Sequence, residues 1–187
     1  NSGIYVLEPR IFDWIAPDEP VDFSSDVFPR LLEAGERIVG SVGEGYWEDV
    51  GTLDAYVRAH KDILDHRVQV SIPGFEVAPG IYVGEGTEIS PDAVLTGPAV
   101  VGDNCNLDAK VCLGEYVVVG TGVRVRGDCE LERTVVHDNA YLGEGARLRG
   151  TVVGRASDLR RNVRCEEGVV LGDEVFVGEN AVLSSDV

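Results

Sequence analysis

The chain has no methionine in its 187 residues and begins instead at Asn1-Ser2-Gly3-Ile4-Tyr5-Val6-Leu7, which reads as a buried strand already under way. It is therefore expected to be part of a longer protein. Cysteine is scarce (four residues) and no Cys-x-x-Cys occurs, so neither a disulfide framework nor a zinc ribbon is indicated, and a reducing, cytoplasmic setting fits. Basic residues are outnumbered, 16 Lys and Arg against 33 Asp and Glu, for a formal charge of -17. That balance argues against a nucleic-acid partner, because a phosphate backbone needs a basic face. No apolar run approaches the roughly 20 residues of a membrane span, and no charged-then-apolar leader opens the chain. Neither G-x-G-x-x-G nor G-x-x-x-x-G-K-[ST] is present, and Gly43-Glu44-Gly45 is too short and acidic to cradle phosphate.

What the chain does have is glycine, 23 residues unevenly placed, and a period. From Val77 aliphatic residues step by six through Val83, Ile89, Leu95, Val101, Leu107, Leu113, Val119, Val125 and Leu131. A step of five reaches Val136, sixes resume at Leu142 and Leu148, a second five gives Val153, and Leu159, Cys165, Leu171, Val177 and Leu183 follow. Four residues after each comes a second small or aliphatic side chain, among them Ala99, Cys105, Val117, Cys129, Val135, Val152 and finally Val187. A helix wants a period of 3.6 and a strand one of 2. A period of six with two inward positions needs a chain that turns a corner every six residues, three sides to a coil, hence a mainly β solenoid. Glycine directly after the aliphatic, as at Gly84, Gly102, Gly120 and Gly143, suits positive φ or tight backbone approach. The pattern resembles the hexapeptide-repeat family, and that resemblance implies a left-handed parallel β-helix over residues 77–187. It should be about six coils and roughly 30 Å tall at strand spacing.

The same arithmetic places other residues. Cys105, Cys129 and Cys165 fall at inward positions, and Cys112 faces out. Three repeats separate stacked neighbours, so Arg149 lies between Glu132 and Glu166, Arg155 between Asp138 and Asp173, and Arg161 between Glu144 and Glu179. Arg147 and Arg164 stack on each other with Glu130 beyond, and Arg160 has only Gly143 and Gly178 above and below. Arg147, Arg160 and Arg164 are the candidates for contact with an anion or a docked partner. The last repeat ends without a polar cap, which predicts self-association into a homo-oligomer, end to end or side to side.

Residues 1–66 lack the repeat, and 67–76 read as a linker. The first segment reads as a strand over 3–7, a helix over 24–33 stopped by Gly35, a strand pair over 38–50, and a helix over 53–64 started at Thr52. Tyr56, Ala59, His60 and Ile63 give the second helix an apolar face. His60 and His66 have no ligand partner nearby and are not expected to bind metal.

Asn1-Ser2-Gly3-Ile4-Tyr5 and Gly45-Tyr46-Trp47-Glu48-Asp49-Val50-Gly51-Thr52, followed by an acidic helix and hexapeptide repeats, resemble sugar-1-phosphate nucleotidyltransferases. Mannose-1-phosphate guanylyltransferases are the most similar, especially bacterial forms fused to a phosphomannomutase-like domain, to which Leu148–Arg160 and Glu166-Glu167-Gly168 are also similar. The resemblance implies that residues 1–66 are the C-terminal remnant of an α/β nucleotidyltransferase domain. It implies a reaction in which a sugar-1-phosphate oxygen attacks the α-phosphate of a nucleoside triphosphate and pyrophosphate leaves, giving GDP-mannose from GTP and mannose-1-phosphate in the guanylyltransferases. Such a site needs Mg²⁺, which takes few carboxylates plus phosphate oxygens. Asp49 matches the family's metal-binding Asp, Trp47 would wall the sugar side, and Asn1 and Gly3 match positions near the sugar. The family's glycine-rich loop, catalytic Arg and Lys, and second metal-binding Asp have no counterpart here, so the chain by itself is expected to be catalytically incomplete. Two other readings stand beside this one. Hexapeptide acyltransferases use a corner His as general base, a role His137 would fill, although Val136-His137-Asp138-Asn139 lacks an inserted loop to hold coenzyme A. A non-catalytic assembly or regulatory module is the third.

Overall fold

The computed structural model describes residues 2–18 and 20–185; Asn1 and Val187, both assigned roles above, lie outside them. The chain divides into two compact units, Asn1–Asp49 and Val50–Val187.

In the first unit a 3₁₀ helix, Pro9–Trp14, precedes a π-helical turn, Phe23–Val27, that runs into helix α1, Phe28–Glu33. Asp22 caps this helix: its carboxylate accepts from the backbone N–H groups of Ser24 and Ser25, both at 2.8 Å. Those bonds hold its pKa below the ordinary carboxylate value. Gly35, at φ 75°, ends the helix, and the next N–H, that of Glu36, returns to the Leu31 carbonyl at 2.9 Å. Ile11, Val27 and Leu31 form a small core with the rings of Phe23 and Phe28, and Tyr5 meets Phe28 edge-on with centroids 5.0 Å apart. The strands expected over 3–7 and 38–50 do not form. No ladder joins either segment to a neighbour among the described residues, and Ile4, Val6, Val39 and Val42 stay exposed. An extended segment becomes a strand only when a neighbour takes its N–H and C=O groups.

The second unit is a three-sided parallel solenoid with one helix laid on it. Face A contains Phe75–Ala78, Ile81–Val83, Ala99–Val101, Val117–Val119, Val135–Val136, Val152–Val153 and Val170–Leu171. Face B contains Glu88–Ile89, Asn106–Leu107, Arg124–Val125, Tyr141–Leu142, Asp158–Leu159 and Phe176–Val177. Face C contains Val94–Leu95, Cys112–Leu113, Glu130–Glu132, Arg147–Arg149, Arg164–Cys165 and Val182–Leu183. Pairing within each face is parallel except at Phe75–Ala78, which runs antiparallel to Ile81–Val83. Val77 is accordingly exposed, and the regular coils begin at Ile81, one repeat later than the periodicity places them. The aliphatic column is the core: Leu107, Leu113, Leu142 and Leu159 are fully enclosed, as are Cys105, Cys129 and Cys165.

The two five-residue steps are built differently from the simple count. Both fall at the corner between faces C and A. Val135 and Val152 pair with Val118 and Val170, which are outward positions. The inward places beside Val117 and Val169 are taken by Thr134 and Thr151, both fully buried. Each threonine hydroxyl donates to the carbonyl two residues back, Glu132 at 2.9 Å and Arg149 at 3.1 Å. A buried hydroxyl is tolerated there because its hydrogen bond closes the shortened turn.

Gly84, Gly102, Gly120, Gly143 and Gly154, each directly after an aliphatic, serve close approach and not positive φ: a Cβ on any of them would stand under 3 Å from the next coil, and none has φ in the left-handed region. On face A such glycines stack as Gly84, Gly102, Gly120, Gly154 and Gly172, and a Cβ on Gly102 would stand 2.7 Å from the Gly120 carbonyl. His137 alone interrupts this column, between Gly120 and Gly154.

Helix α2, Leu53–Leu64, is capped by Thr52, whose side chain accepts from the Ala55 N–H at 3.2 Å. It crosses the outer side of face A, tied at one end to His137 by Tyr56 and at the other to Tyr116 by Asp65, and it shelters an apolar row. In that row Val100, Val135 and Val152 are buried although they point out of the solenoid.

Candidate functional site

Two regions carry the residues singled out by the sequence. The first is the Gly45–Thr52 motif. Its backbone is extended but unpaired, with a turn at Gly45 (φ 120°), and Thr52 then begins helix α2. Trp47 is 56% exposed and Asp49 is exposed; neither side chain takes part in a hydrogen bond, ion pair or ring contact among the described residues. Gly3 sits at φ 72°, a backbone state that suits glycine. No group of three or more His, Cys, Asp or Glu placed to hold a metal occurs among the described residues. Asp49 is a lone carboxylate with its oxygens free for a ligand. That suits a hard dication of the Mg²⁺ type, which fills its shell from one or two carboxylates, phosphate oxygens and water.

The second region is the solenoid surface. His137, the candidate acyl-transfer base, has its Nε2 3.1 Å from the Tyr56 hydroxyl, and the two rings stack at 10° with centroids 6.0 Å apart. His60 packs edge-on against Tyr56 and hydrogen-bonds the Tyr56 carbonyl through Nδ1 at 2.8 Å. Burial pushes the Tyr56 phenol up, opposed by the nearby Arg155 charge. At the other end of the helix Tyr116 donates to Asp65 at 2.9 Å, a bond that raises the Tyr116 pKa, and Lys61 lies 4.9 Å from the Tyr116 ring centroid. His137 is thus part of a helix-to-solenoid joint. Its place in a glycine column was the sequence signal for an exceptional role; its partner, 81 residues earlier in the chain, had none.

The arginine ladders are partly as counted. Arg149 pairs with Glu132 at 3.1 Å and Arg161 with Glu144 at 3.2 Å. Arg155 does not: Asp173 instead accepts from the Arg155 backbone N–H at 2.7 Å, as Asp103 does from Glu85 and Asp138 from Thr121. Arg160, expected to lack a neighbour, reaches Asp158 at 2.9 Å and lies over the Phe176 ring. Arg147 and Arg164 are in register on face C; Arg147 reaches Glu130 at 3.3 Å, and Arg164 has no ion pair among the described residues. They line a shallow trough of about 670 Å³ together with Cys112, Glu130, Glu132 and Arg149. Among the described residues no helix is long and apolar enough to cross a membrane.

Comparison with known proteins accounts for both units. Residues 1–66 match the family model described as nucleotidyl transferase, and residues 95–187 match that of the GMPPB C-terminal domain. A mannose-1-phosphate guanylyltransferase of Mycobacterium tuberculosis is 33% identical over 141 residues, 71% of this chain and 37% of that protein. A glucose-1-phosphate adenylyltransferase of Granulibacter bethesdensis is 32% identical over 199 residues, 93% of this chain and 45% of that protein. A probable mannose-1-phosphate guanylyltransferase 3 of rice is 27% identical over the whole chain and 47% of its own length. The chain spans half or less of the length of these relatives. With a nucleotidyl transferase segment at one end and a matching solenoid at the other, the chain belongs to the sugar-1-phosphate nucleotidyltransferase family.

Proposed function

We propose that the chain is the C-terminal portion of a sugar-1-phosphate nucleotidyltransferase of the mannose-1-phosphate guanylyltransferase kind, joining GTP and mannose-1-phosphate into GDP-mannose and pyrophosphate. The observation that carries this is the Trp47-Glu48-Asp49-Val50-Gly51-Thr52 motif, held exposed immediately before a capped helix, with Trp47 and Asp49 both unengaged. Asp49 would hold Mg²⁺, which when bound supplies charge neutralisation at the phosphates. Trp47 would form an apolar wall for the sugar ring, and Gly3, with Asn1, would let backbone approach its hydroxyls. The solenoid would serve assembly into a homo-oligomer or docking of further domains; Arg147, Arg160 and Arg164 are its candidate contact residues. The rest of the chemistry, a phosphate cradle and cationic side chains, falls to residues outside this chain.

The test is Asp49→Asn in the full-length protein, assayed by pyrophosphate release across a Mg²⁺ titration. Turnover should fall by about 10²–10³, the usual loss when a dominant electrostatic contact is removed. A variant with near-normal turnover would remove the metal assignment. The same assay on this chain alone, with each nucleoside triphosphate and mannose- or glucose-1-phosphate, should give background; turnover there would show that the chemistry is complete within it.

A further inference from the structure

Two outward rows run along face C. In register from coil to coil, the first reads Val94, Cys112, Glu130, Arg147, Arg164 and Val182. The second, one side chain over, contains Gly114, Glu132, Arg149 and Glu166. Exposed valines stand at the two ends of the first row, 57% and 64% accessible. At its middle a glutamate pair and an arginine pair sit on adjacent coils, Glu130 beside Arg147 and Glu132 beside Arg149. Read from either end, each central charge meets its opposite and each valine meets a valine.

We propose that face C is an isologous interface with a second copy of this chain, packed antiparallel. The twofold lies in the interface along the strand direction, between the coil of Glu130 and that of Arg147. It sets Glu130 against the partner subunit's Arg147 and Glu132 against the partner subunit's Arg149, each twice over. Val94 then meets the partner subunit's Val182 at both edges, and Arg164, which has no ion pair among the described residues, lies over the partner subunit's Cys112. Charge also selects the orientation. Packed parallel, the two rows would exchange and Glu130 would face the partner subunit's Glu132, and Arg147 the partner subunit's Arg149, so every central contact would be repulsive. A self-complementary patch is what a twofold dimer requires. Six strands at about 4.8 Å, three residues wide, offer roughly 300–400 Å² per subunit, half or less of a standard interface. The association is therefore weak and sensitive to salt.

This inference rests on the assembly role proposed above for the solenoid, and its test separates the two. Glu130→Arg and Arg147→Glu are made as separate variants of this chain. Wild type should form a dimer in sedimentation at low salt that dissociates as salt is raised. Each variant alone meets like charges across the twofold and should dissociate at least tenfold more readily. An equimolar mixture of the two should recover the dimer, because every reversed position then meets its opposite, whereas the disturbed pair within each chain stays disturbed. Folded variants whose mixture stays monomeric overturn the proposal, and variants that associate like wild type leave an assembly role but move it off face C. A wild type that is monomeric throughout removes both. Should the variants not fold, unaltered protein still decides: the twofold puts the two Cys112 thiols about three coil spacings, roughly 14 Å, apart. A bismaleimide of that reach should link the dimer, and oxidation to a direct disulfide should not; the reverse result refutes the register.

Discussion

Replacing Gly102 by alanine places a methyl group where the next coil already stands. The added Cβ would lie 2.7 Å from both the carbon and oxygen of the Gly120 carbonyl and 2.9 Å from the Thr121 nitrogen. Carbon atoms in contact rest at about 3.5–4.0 Å, so the coils must part locally by roughly 0.8 Å. The strain falls on the coil-to-coil bond from the Gly102 N–H to the Val119 carbonyl, now 2.8 Å, and stretches it to the edge of hydrogen-bond range. Overpacking of this kind costs about 1–3 kcal/mol, and weakening the bond adds about 0.5–1.5 kcal/mol. The loss of glycine's freedom in the unfolded chain offsets about 0.4–1 kcal/mol. A net destabilisation of about 2 kcal/mol corresponds to about 4–8 °C in melting temperature for a chain of this size. Gly178 is the control: it occupies the equivalent repeat position near the end, and a Cβ there meets no atom within 4 Å. Gly178→Ala should melt at or slightly above wild type. Circular dichroism melts of the three proteins decide the matter. If Gly102→Ala and Gly178→Ala melt within about 1 °C of each other, coil spacing is not limited by this contact and the reasoning fails.

Two further outcomes follow from the titratable groups. Burial pushes the Cys129 and Cys165 thiols up to about 11 and raises Cys105 as well, whereas Cys112 is exposed. A thiol reagent at pH 8 should therefore titrate one group in the native protein and four in denaturant; a second fast native thiol would contradict the enclosed cysteines. Asp22 has its pKa lowered in the fold by the Ser25 and Ser24 N–H groups, so its contribution is complete above the ordinary value near 4 and fades as pH falls through the lower folded value. Acid titration followed by hydrogen exchange at Ser24 and Ser25 should show a loss of protection below about pH 4 that Asp22→Asn lacks. Identical acid profiles would count against the cap.

The solenoid was legible because its signal is local and repeated. An aliphatic at every sixth residue fixes which side chains enter the core before any long-range contact is known, and Leu107 through Leu159 are enclosed as the count requires. The count went astray where a residue is missing. It kept the four-residue offset through each shortened corner and so assigned the inward places to Val135 and Val152, whereas the place falls one residue earlier, on a threonine whose hydroxyl reaches the carbonyl two residues back. Val135 and Val152 are buried all the same, although they point out of the solenoid. The strands expected in residues 3–7 and 38–50 had the right composition, but composition does not supply a ladder partner. The motif around Asp49 was readable only through its likeness to a family; nothing in its exposure or contacts would single out one carboxylate among 33 acidic residues.

The two shortened corners also bear on how such a chain can change length. Each loses one residue, yet Leu142 still stacks on Val125 and Leu159, and Val177 on Leu159. The deletions do not propagate, because every coil takes its register afresh from hydrogen bonds to the coil before it. A one-residue edit inside a strand would turn the following side chains inside out. The same edit at a corner is absorbed within a few residues. The corners are thus the places where insertions can accumulate in descendants of this sequence while the faces, and whatever they present, keep their spacing.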